Sequence, residues 1–310
     1  MSNFLVTGGA GFIGSHLVEE LIKRKQKVRV LDNFSSGKKE NLKNVLNKIE
    51  LFKGDIRSLS CCMQACKGID FVLHLAALRS VPKSMLNPYE YNEVNIKGTL
   101  NMLEASRFHK IKRFVFASSS SVYGEVKVFP EKESFNPSPI SVYALTKLTG
   151  EHYCRIFSQY HKLPVVVLRY FNVFGPRQSL DDQYAVVIPK FINCMLKDKN
   201  PPIYGNGRQS RDFTFVSNVV KANLLAVSSQ IKYGVFNVAS GKNYSILQLV
   251  RILNKLMGKK LKPIFLEKRA GDVFKTLADL SQAKRKLGFY PEIDFIHGLK
   301  ITLEYWKNLV

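Results

Sequence analysis

The chain has 310 residues, of which 45% are hydrophobic and 23% charged, so it is long enough to bury a large core and short for three domains. The formal net charge is +23, but the basic residues are spread along the chain, as in KDKN and MGKKLK, and no arm or motif concentrates them. A lysine-rich solvated surface is therefore favoured over a nucleic-acid site. No apolar run in the sequence is long enough to span a membrane.

The cysteine content indicates a reducing compartment. Cys61, Cys62, Cys66, Cys154 and Cys194 are odd in number, and their spacing matches no zinc ligand set, so we expect no metal site. The stretch CCMQAC has the pattern of the inner face of a helix. Because reduced structural thiols are typical of the cytoplasm, and because residues 3–7 already have the pattern of a core strand without a signal peptide, we expect a cytoplasmic protein.

The first half of the chain alternates short apolar runs with longer amphipathic ones. The predicted strands are NFLVT, KVRVLD, IELFKGD, DFVLHLAA, RFVFASS and PVVVLRY, and the predicted helices span 12–23, 58–66, 88–106 and 143–161. Strands with little alternation are typical of parallel sheets that are buried on both faces. The pattern therefore predicts an α/β fold with a doubly wound parallel sheet, which binds ligands at the carboxyl ends of its strands.

The pattern changes after Arg169. The strands predicted there are PIY, FTFV, GVFNV and KPIFLE, and the helices span 187–196, 217–228, 245–257 and 295–309, among loops rich in Gly, Pro and Asn. We predict a dinucleotide-binding Rossmann domain over residues 1–170 and a smaller α/β substrate lobe over 171–310. The boundary is approximate, since later strands can return to the first sheet.

A glycine-rich turn follows the first predicted strand. In TGGAGFIGSH, Gly8, Gly11 and Gly14 have the spacing G-x-x-G-x-x-G. Glycines permit a tight strand-to-helix turn and a close approach of the backbone to a pyrophosphate, and the helix N-terminus offers free N–H groups to that anion. A purely structural turn competes with this interpretation for an isolated glycine trio. The strand before it, the helix after it and Asp32 at the end of the second strand favour a dinucleotide site.

Two aspartates bear on the choice of cofactor. A carboxylate at Asp32 accepts from a ribose hydroxyl and repels a 2′-phosphate, which favours NAD over NADP, although Lys38 and Lys39 nearby weaken the preference. Asp55, after the third strand, either binds the adenine amine or is an ordinary turn aspartate. The sequence does not decide between these two roles.

Tyr143 and Lys147 lie in SVYALTK, on one face of a predicted helix. An ordinary surface pair is the default interpretation of an isolated Tyr-x-x-x-Lys. The catalytic interpretation is a tyrosinate base, whose pKa must fall by ~3 units, or roughly 4 kcal/mol. The lysine ammonium and a positively charged nicotinamide ring have the charges that this shift requires.

Taken together, TGGAGFIG, Asp32, LAA at 75–77, SSSSVYG and YALTK resemble the extended short-chain dehydrogenase/reductase family over essentially the whole chain. The resemblance implies that Ser119 is the hydroxyl partner of the tyrosine. The 4,6-dehydratases of that family carry Thr-Asp-Glu in line with Ser119, Ser120 and Ser121, and the UDP-glucuronate decarboxylases carry Glu in line with Ser121. This chain has neither acid. It therefore lacks the additional proton-transfer group that elimination requires, and an epimerase is expected.

The second half resembles the bacterial and archaeal UDP-N-acetylglucosamine 4-epimerase branch in LRYFNVFGPRQ, DDQYAVVIPKF, YGNGRQSRDFTFV and RAGDV. The resemblance implies that Asn172 and Arg211 contact the diphosphate-sugar, that Arg269 and Asp272 contact the phosphate and ribose, and that Tyr204 lies near the uracil. A lone surface charge is the competing interpretation for each arginine, although an arginine suits a diphosphate because it donates two parallel hydrogen bonds.

The resemblance implies two sets of candidate site residues. The cofactor set is Gly8, Gly11, Phe12, Ile13, Gly14, Asp32, Asn33, Asp55, Ile56, Leu75, Ala76, Ala77, Asn95, Tyr143 and Lys147. The substrate set is Arg79, Ser119, Ser120, Ser121, Asn172, Val187, Tyr204, Arg211, Arg269, Asp272 and Thr276. Thr276 aligns with a position that gates the sugar pocket. Enzymes restricted to unacetylated sugars carry Tyr there, and those that accept N-acetyl groups carry Ser or Cys. The alternative is that Thr276 is only a strand residue.

The expected function is NAD-dependent 4-epimerisation of a UDP-hexose through a 4-keto sugar, with preference for N-acetylated sugars and activity on UDP-glucose and UDP-galactose. The resemblance also implies a homodimer formed by helices 88–106 and 143–161, with apolar contacts from Leu100, Leu103, Leu148 and Ile156.

Three alternatives remain. For a UDP-glucuronate 4-epimerase, Arg79 and the positive charge leave room for a carboxylate substrate, but members of that group carry Thr in line with Asn172 and Arg in line with Ser179. A non-catalytic NAD-binding regulator commonly loses the tyrosine or the lysine, and both are present here. If the chain were a nucleic-acid binder, it would show salt-dependent retention on DNA and no sugar turnover.

Overall fold

The computed structural model describes residues 1–179, 187–267 and 273–309. The strands in these ranges are β1 (Asn3–Thr7), β2 (Lys27–Asp32), β3 (Glu50–Lys53), β4 (Phe71–His74), β5 (Arg113–Ser119), β6 (Val165–Tyr170), β7 (Val173–Phe174), β8 (Pro202–Tyr204), β9 (Ser210–Asp212), β10 (Thr214–Phe215), β11 (Tyr233–Val238), β12 (Asn243–Ser245) and β13 (Ile264–Leu266). The helices are α1 (Phe12–Lys23), α2 (Leu59–Cys66), α3 (Val81–Leu86), α4 (Pro88–Tyr91), α5 (Gly98–Phe108), α6 (Val142–His161), α7 (Val187–Leu196), α8 (Val216–Ser228), α9 (Ile246–Met257), α10 (Ser281–Leu287) and α11 (Phe295–Lys307).

The central sheet has seven parallel strands in the order β11-β6-β5-β4-β1-β2-β3. The six strands predicted in the first half are all present, and the seventh, β11, comes from the second half, where GVFNV was predicted as a strand. The chain leaves β1 toward β2 on one side and reaches β4 on the other, so the strand order reverses at β1. A ligand crevice is expected at the carboxyl ends of these strands.

Helices cover both faces of the sheet, and this explains the continuous apolar runs. In β6, Val165 and Val167 face the layer formed by α2, α5 and α6, whereas Val166 and Leu168 face α1, α8 and α10. All four side chains are fully buried. The predicted doubly wound fold is therefore confirmed, because successive residues of a strand pack against helix layers on opposite faces of the sheet.

The helix starts follow from their capping residues. The hydroxyls of Ser58, Ser141 and Ser245 accept backbone N–H groups at the starts of α2, α6 and α9. On α2, Cys62 and Cys66 face the core as predicted, and burial raises the pKa of both thiols.

The predicted helix 88–106 is interrupted. It consists of α4, a π-helical segment over Asn92–Lys97 and α5. A π-helical turn is wider than an α-helical one, and such segments occur frequently at functional sites. Two short helices, α3 and α10, were not predicted.

The second half has its own apolar core. It is built from α7, α9 and α11 and contains stacked aromatic rings, such as Phe213 on Phe295 with centroids 5.0 Å apart. None of the helices in the described ranges is long and apolar enough to cross a membrane.

Candidate active site

Two cavities meet at Tyr143. One has a volume of about 510 Å³ and lies at the carboxyl ends of β1, β2 and β4. The other has a volume of about 470 Å³ and lies between the end of β5 and the second half of the chain. Phe12, Ile13 and Arg79 line both cavities together with Tyr143. We call the first the cofactor cavity and the second the substrate cavity.

The glycine turn in the cofactor cavity leaves no room for side chains. Gly8 has a φ of +68°, and a Cβ there would lie 2.9 Å from the backbone of Ala76. A Cβ on Gly14 would lie 2.2 Å from the carbonyl oxygen of Gly8. Gly11 is the N-cap residue of α1 and has no side chain, so the first N–H groups of the helix are not capped by it. This cradle fits the pyrophosphate of a dinucleotide.

Asp32 lies at the end of β2 and lines the same cavity. Its Oδ2 accepts the backbone N–H of Ala10 at 2.9 Å, and its Oδ1 accepts that of Phe34 at 2.8 Å. Burial raises the pKa of the carboxyl, and the two amide donors oppose that shift. Each carboxylate oxygen has a second lone pair, so the group can still accept from a ribose hydroxyl.

Asp55 already has partners on both oxygens. Its Oδ1 accepts the backbone N–H of Arg57 at 2.8 Å, and its Oδ2 accepts from the Arg57 guanidinium at 2.8 Å and from Asn33 at 2.9 Å. These bonds, led by those from Arg57, lower the pKa of Asp55 to about 2. The residue lines the cofactor cavity, and Arg57, which was not predicted, lies beside it.

Asn95 lies behind the cavity wall. From the π-helical segment its amide exchanges hydrogen bonds of 2.8 and 3.0 Å with the backbone of Leu78, and it donates to Thr146 at 3.0 Å. It therefore holds the loop that follows β4, whereas it was predicted to contact the cofactor. The predicted residues that do line the cofactor cavity are Gly8, Gly11, Phe12, Ile13, Gly14, Asp32, Asn33, Asp55, Ile56, Leu75, Ala76, Ala77, Tyr143 and Lys147.

Lys147 lies one turn after Tyr143 on α6. Its Nζ donates to the carbonyl of Ala117 at 2.8 Å and lies 5.2 Å from the centre of the Phe116 ring. Burial lowers the pKa of this lysine to about 8, so it remains protonated at neutral pH. An ordinary surface pair is excluded for Tyr143 and Lys147, since Lys147 is buried.

The side chain of Tyr143 is half-buried, and Ser119 and Arg79 both act on its phenol. Burial raises its pKa, whereas the hydrogen bond with Ser119 and the positive charge of Arg79 lower it. Ionisation at neutral pH therefore requires more positive charge than this part of the protein supplies. The nicotinamide of an oxidised dinucleotide in the adjoining cavity has the right sign.

Four consecutive serines lie at the end of β5 and at the wall of the substrate cavity, and the first of them also bonds into the interior. Ser118 donates to Glu151, which is paired in the interior with Arg169 at 2.7 Å. The Oγ of Ser119 accepts the backbone N–H of Ser121 at 3.2 Å and donates to its hydroxyl at 3.1 Å. All four line the substrate cavity, and Ser119, Ser120 and Ser121 are the three that were predicted to contact the substrate.

The far wall of the substrate cavity comes from the second half. Arg211 is buried and donates to the carbonyls of Ser210 at 3.0 Å and Phe274 at 3.3 Å. Tyr204 accepts a 3.3 Å hydrogen bond from Lys190 on α7. The predicted substrate residues around this cavity are Arg79, Ser119, Ser120, Ser121, Asn172, Val187, Tyr204, Arg211 and Thr276. Arg269 and Asp272 lie outside the described residues.

Several residues that line the substrate cavity were not predicted, among them Lys190, Gln178 and Glu131. Lys190 and Gln178 lie within the motifs that were matched, so their positions were an available signal. Glu131 lies in the charged stretch FPEKES, which has the composition of a solvated loop, and nothing in the sequence marks it as buried.

Comparisons with known proteins agree with this geometry. A model of the NAD dependent epimerase/dehydratase family matches residues 4–239. A putative UDP-glucose 4-epimerase of Methanocaldococcus jannaschii is 39% identical over 306 residues, which cover 98% of each chain.

Two solved structures are similar over almost the whole chain. UDP-N-acetylglucosamine 4-epimerase from Methanobrevibacter ruminantium M1, in complex with UDP-N-acetylmuramic acid, is 42% identical with a TM-score of 0.96, covering 100% of this chain and 99% of that one. UDP-glucose 4-epimerase from Thermotoga maritima, with UDP-glucose, is 39% identical with a TM-score of 0.95, covering 99% of both chains.

The chain therefore belongs to the NAD-dependent epimerase/dehydratase family. It is an NAD-dependent enzyme, and its relatives and structural neighbours connect it with the UDP-sugar 4-epimerases of that family.

Proposed function

We propose that the chain catalyses the 4-epimerisation of UDP-hexoses and prefers UDP-N-acetylglucosamine and UDP-N-acetylgalactosamine. The observation that carries this proposal is the position of Tyr143. Its phenol lies where the two cavities meet, beside Ser119, and no acid stands at 119–121. A site with one base and neutral hydroxyls suits removal of a proton from the sugar and its return, whereas elimination requires a further acid.

Each residue has a separate role in this reaction. Tyr143 takes the proton of the 4-hydroxyl, and Ser119 holds the oxygen from which it is taken. Lys147 keeps a positive charge behind the tyrosine. NAD, held by the glycine turn and Asp32 in the cofactor cavity, would supply hydride acceptance from C4 and its return, and would be regenerated in each cycle. Between the two transfers the 4-keto sugar turns about its diphosphate link inside the substrate cavity, whose volume of about 470 Å³ falls in the range of small-molecule sites.

The preference for N-acetylated sugars rests on Thr276. Its side chain lines the substrate cavity and is smaller than the tyrosine of enzymes restricted to unacetylated sugars. The structural neighbour from Methanobrevibacter ruminantium M1, which is named for UDP-N-acetylglucosamine, supports the same preference.

UDP-glucuronate 4-epimerisation is the second candidate. Arg79 favours it, because this cation lines the substrate cavity and acts on Tyr143. Asn172 and Ser179 argue against UDP-glucuronate as the substrate, because UDP-glucuronate 4-epimerases carry Thr and Arg at these two positions.

We also propose a homodimer formed by α6 and the helical segment 88–108. Leu103 cannot contribute, because it is fully buried in the core of its own chain. Leu145, Ile156 and Tyr160 on α6 are half or more exposed and form a stripe that suits a partner helix. The five free cysteines support a reducing compartment such as the cytoplasm.

The test is NMR analysis of the products from UDP-glucose, UDP-N-acetylglucosamine and UDP-glucuronate. We expect each of the first two to give a mixture with its 4-epimer, with faster conversion of the N-acetylated sugar, and no conversion of the uronate. Conversion of UDP-glucuronate alone would establish the second candidate. Release of a 4-keto-6-deoxy sugar product would contradict an epimerase.

A further inference from the structure

Glu131 is a buried acid that the proposed chemistry does not use. It lies in the segment between Gly124 and Ser141, and its backbone is fixed to the chain around residue 278. Its N–H donates to the carbonyl of Leu277 at 2.7 Å, and its carbonyl accepts from Asp279 at 2.8 Å and from Asn237 at 2.9 Å. Glu131 lines the substrate cavity, and because both of its backbone groups are engaged by protein partners, the carboxyl is the group left to contact a ligand there.

The carboxyl lacks a partner on one oxygen. Glu131 is only 1% exposed, and its Oε2 has no hydrogen bond within the part of the chain that the structure describes. The neighbouring carboxylate of Asp212 is satisfied by Ser240, Gly241 and Ala278. An unpaired polar atom at such a depth costs about 1–3 kcal/mol, and a ligand that satisfies it removes this cost.

Burial favours the neutral form of Glu131. Burial raises its pKa to about 8, and the charge of Asp212 acts in the same direction, against the amide of Leu277 and the charge of Arg211. A neutral carboxylic acid donates one O–H bond and accepts others. It lines the same cavity as Ser119, Tyr143 and Thr276.

We propose that Glu131 is a specificity-determining residue that hydrogen-bonds the sugar and selects uncharged hexoses over sugars that carry a carboxylate. This inference rests on the proposed function, since it concerns the sugar of the same UDP-hexose. Hydroxyl and acetamido groups satisfy the acid without a change of charge. A uronate carboxylate would share the buried site with a second acid, and two such acids compete for one proton. Selection against the uronate should therefore become stronger as the pH rises and Glu131 ionises.

The test measures binding by calorimetry to NAD-loaded protein with the Tyr143→Phe substitution, in which turnover is suppressed. With Glu131 intact, we expect the Kd of UDP-glucuronate to rise at least fivefold relative to that of UDP-N-acetylglucosamine between pH 6.5 and 9. With Glu131→Gln, which has the same shape and no proton to lose, this ratio should stay constant within about twofold.

Glu131→Leu and the ligand UDP, measured at pH 8, serve as controls for a merely structural role. Loss of one hydrogen bond should weaken UDP-N-acetylglucosamine roughly 3- to 10-fold, while UDP, which has no sugar, should bind as before. Equal losses for UDP and the UDP-sugar, or the same pH dependence with Gln at this position, would overturn the inference while leaving the epimerase proposal intact. If protein with Glu131 intact bound no UDP-hexose, the proposed function would fail together with it. Should the Leu variant not fold, the Gln comparison alone decides.

Discussion

Asn172 donates a hydrogen bond of 3.0 Å from its Nδ2 to the hydroxyl oxygen of Thr276, and the same oxygen accepts the backbone N–H of Asp212 at 3.0 Å. The residue proposed to set the size of the sugar pocket therefore also fixes a residue proposed to contact the substrate. A substitution at Thr276 can act through volume or through Asn172, and the two effects have to be separated.

Thr276→Tyr should fill the pocket. Overpacking a filled site costs ~1–3 kcal/mol, which corresponds to roughly a 5- to 150-fold loss of kcat/KM for UDP-N-acetylglucosamine. UDP-glucose lacks the acetyl group and should be affected much less. Thr276→Val is the matched control, because it keeps the volume and removes the oxygen that Asn172 uses. Steady-state kinetics with both substrates make the test. If Thr276→Tyr lowered kcat/KM equally for UDP-N-acetylglucosamine and UDP-glucose, Thr276 would not set the size of the sugar pocket.

Tyr143→Phe removes the ionisable oxygen and keeps the ring. We expect kcat to fall by at least ~100-fold, at the low end of acid–base contributions, with little change in the binding of UDP-sugar. Single-turnover rates and calorimetry measure the two quantities. Turnover at the native rate would show that another group is the base.

Asp32→Ala should lower the amount of NAD that remains bound through purification, which is measured after denaturation. Loss of hydrogen bonds to a charged group is worth ~1.5–3 kcal/mol, so NAD should bind at least roughly tenfold more weakly. The substitution also releases the amide N–H groups of Ala10 and Phe34, and Asp32→Asn therefore reports the charge with less disturbance of the turn. The exposed Asp198 provides a matched Asp→Ala control. An enzyme free of NAD that requires NADP would contradict the role of Asp32.

Ile156→Glu should convert the proposed dimer to a monomer, because a charge on the exposed stripe of α6 cannot be buried without a partner. Ile301→Glu on α11, outside the proposed interface, should leave the dimer intact. Light scattering at micromolar concentration distinguishes the two states. A native chain that is monomeric under these conditions would refute the dimer.

His74 should make the protein less stable in acid. It is buried between the hydroxyls of Thr7 and Thr99, and burial lowers its pKa to about 3. At pH values between about 3 and 6.5, His74 binds a proton in the unfolded chain and not in the folded chain. Stability is therefore lost as the pH falls below 6.5. The loss from this group should reach roughly 2–3 kcal/mol at pH 4.5. Urea unfolding at pH 7 and 4.5 should show a smaller difference for His74→Gln, and an equal difference would exclude His74 as the cause.

The sequence predicted the elements that repeat a simple pattern. The buried strands, the glycine turn and the helices over 58–66, 143–161 and 245–257 were all predicted, because apolar periodicity and glycine spacing are local signals. The π-helical segment was not, since its wider turn contains ordinary helix-forming residues. Its consequence, the placement of Asn95 behind the loop at Leu78, was missed for the same reason.

The missed site residues depend on contacts between distant parts of the chain. Glu131 looks like a solvated acid in FPEKES, and only its pairing with the backbone at Leu277 and Asp279 buries it. Leu103 was assigned to a dimer interface because the spacing of apolar residues does not tell which face of a helix meets its own chain. The sequence therefore predicted the glycine turn, the pair Tyr143 and Lys147 and much of the substrate cavity, whereas the position of Glu131 in that cavity required the folded structure.

The strand β11 has a practical consequence for anyone who wishes to recombine this enzyme with a relative. Its residues Tyr233–Val238 pair with Val165–Tyr170 of β6, so the edge of the sheet is completed only by a segment synthesised long after Tyr143 and Lys147. A chimera joined near residue 170 would graft a foreign edge strand onto the sheet. A fragment that ended there would expose β6 as an unpaired and largely apolar edge prone to aggregation. Exchange of the sugar pocket alone therefore needs two crossovers, one after β6 and one before β11, with the rest of the pocket altered by point substitution.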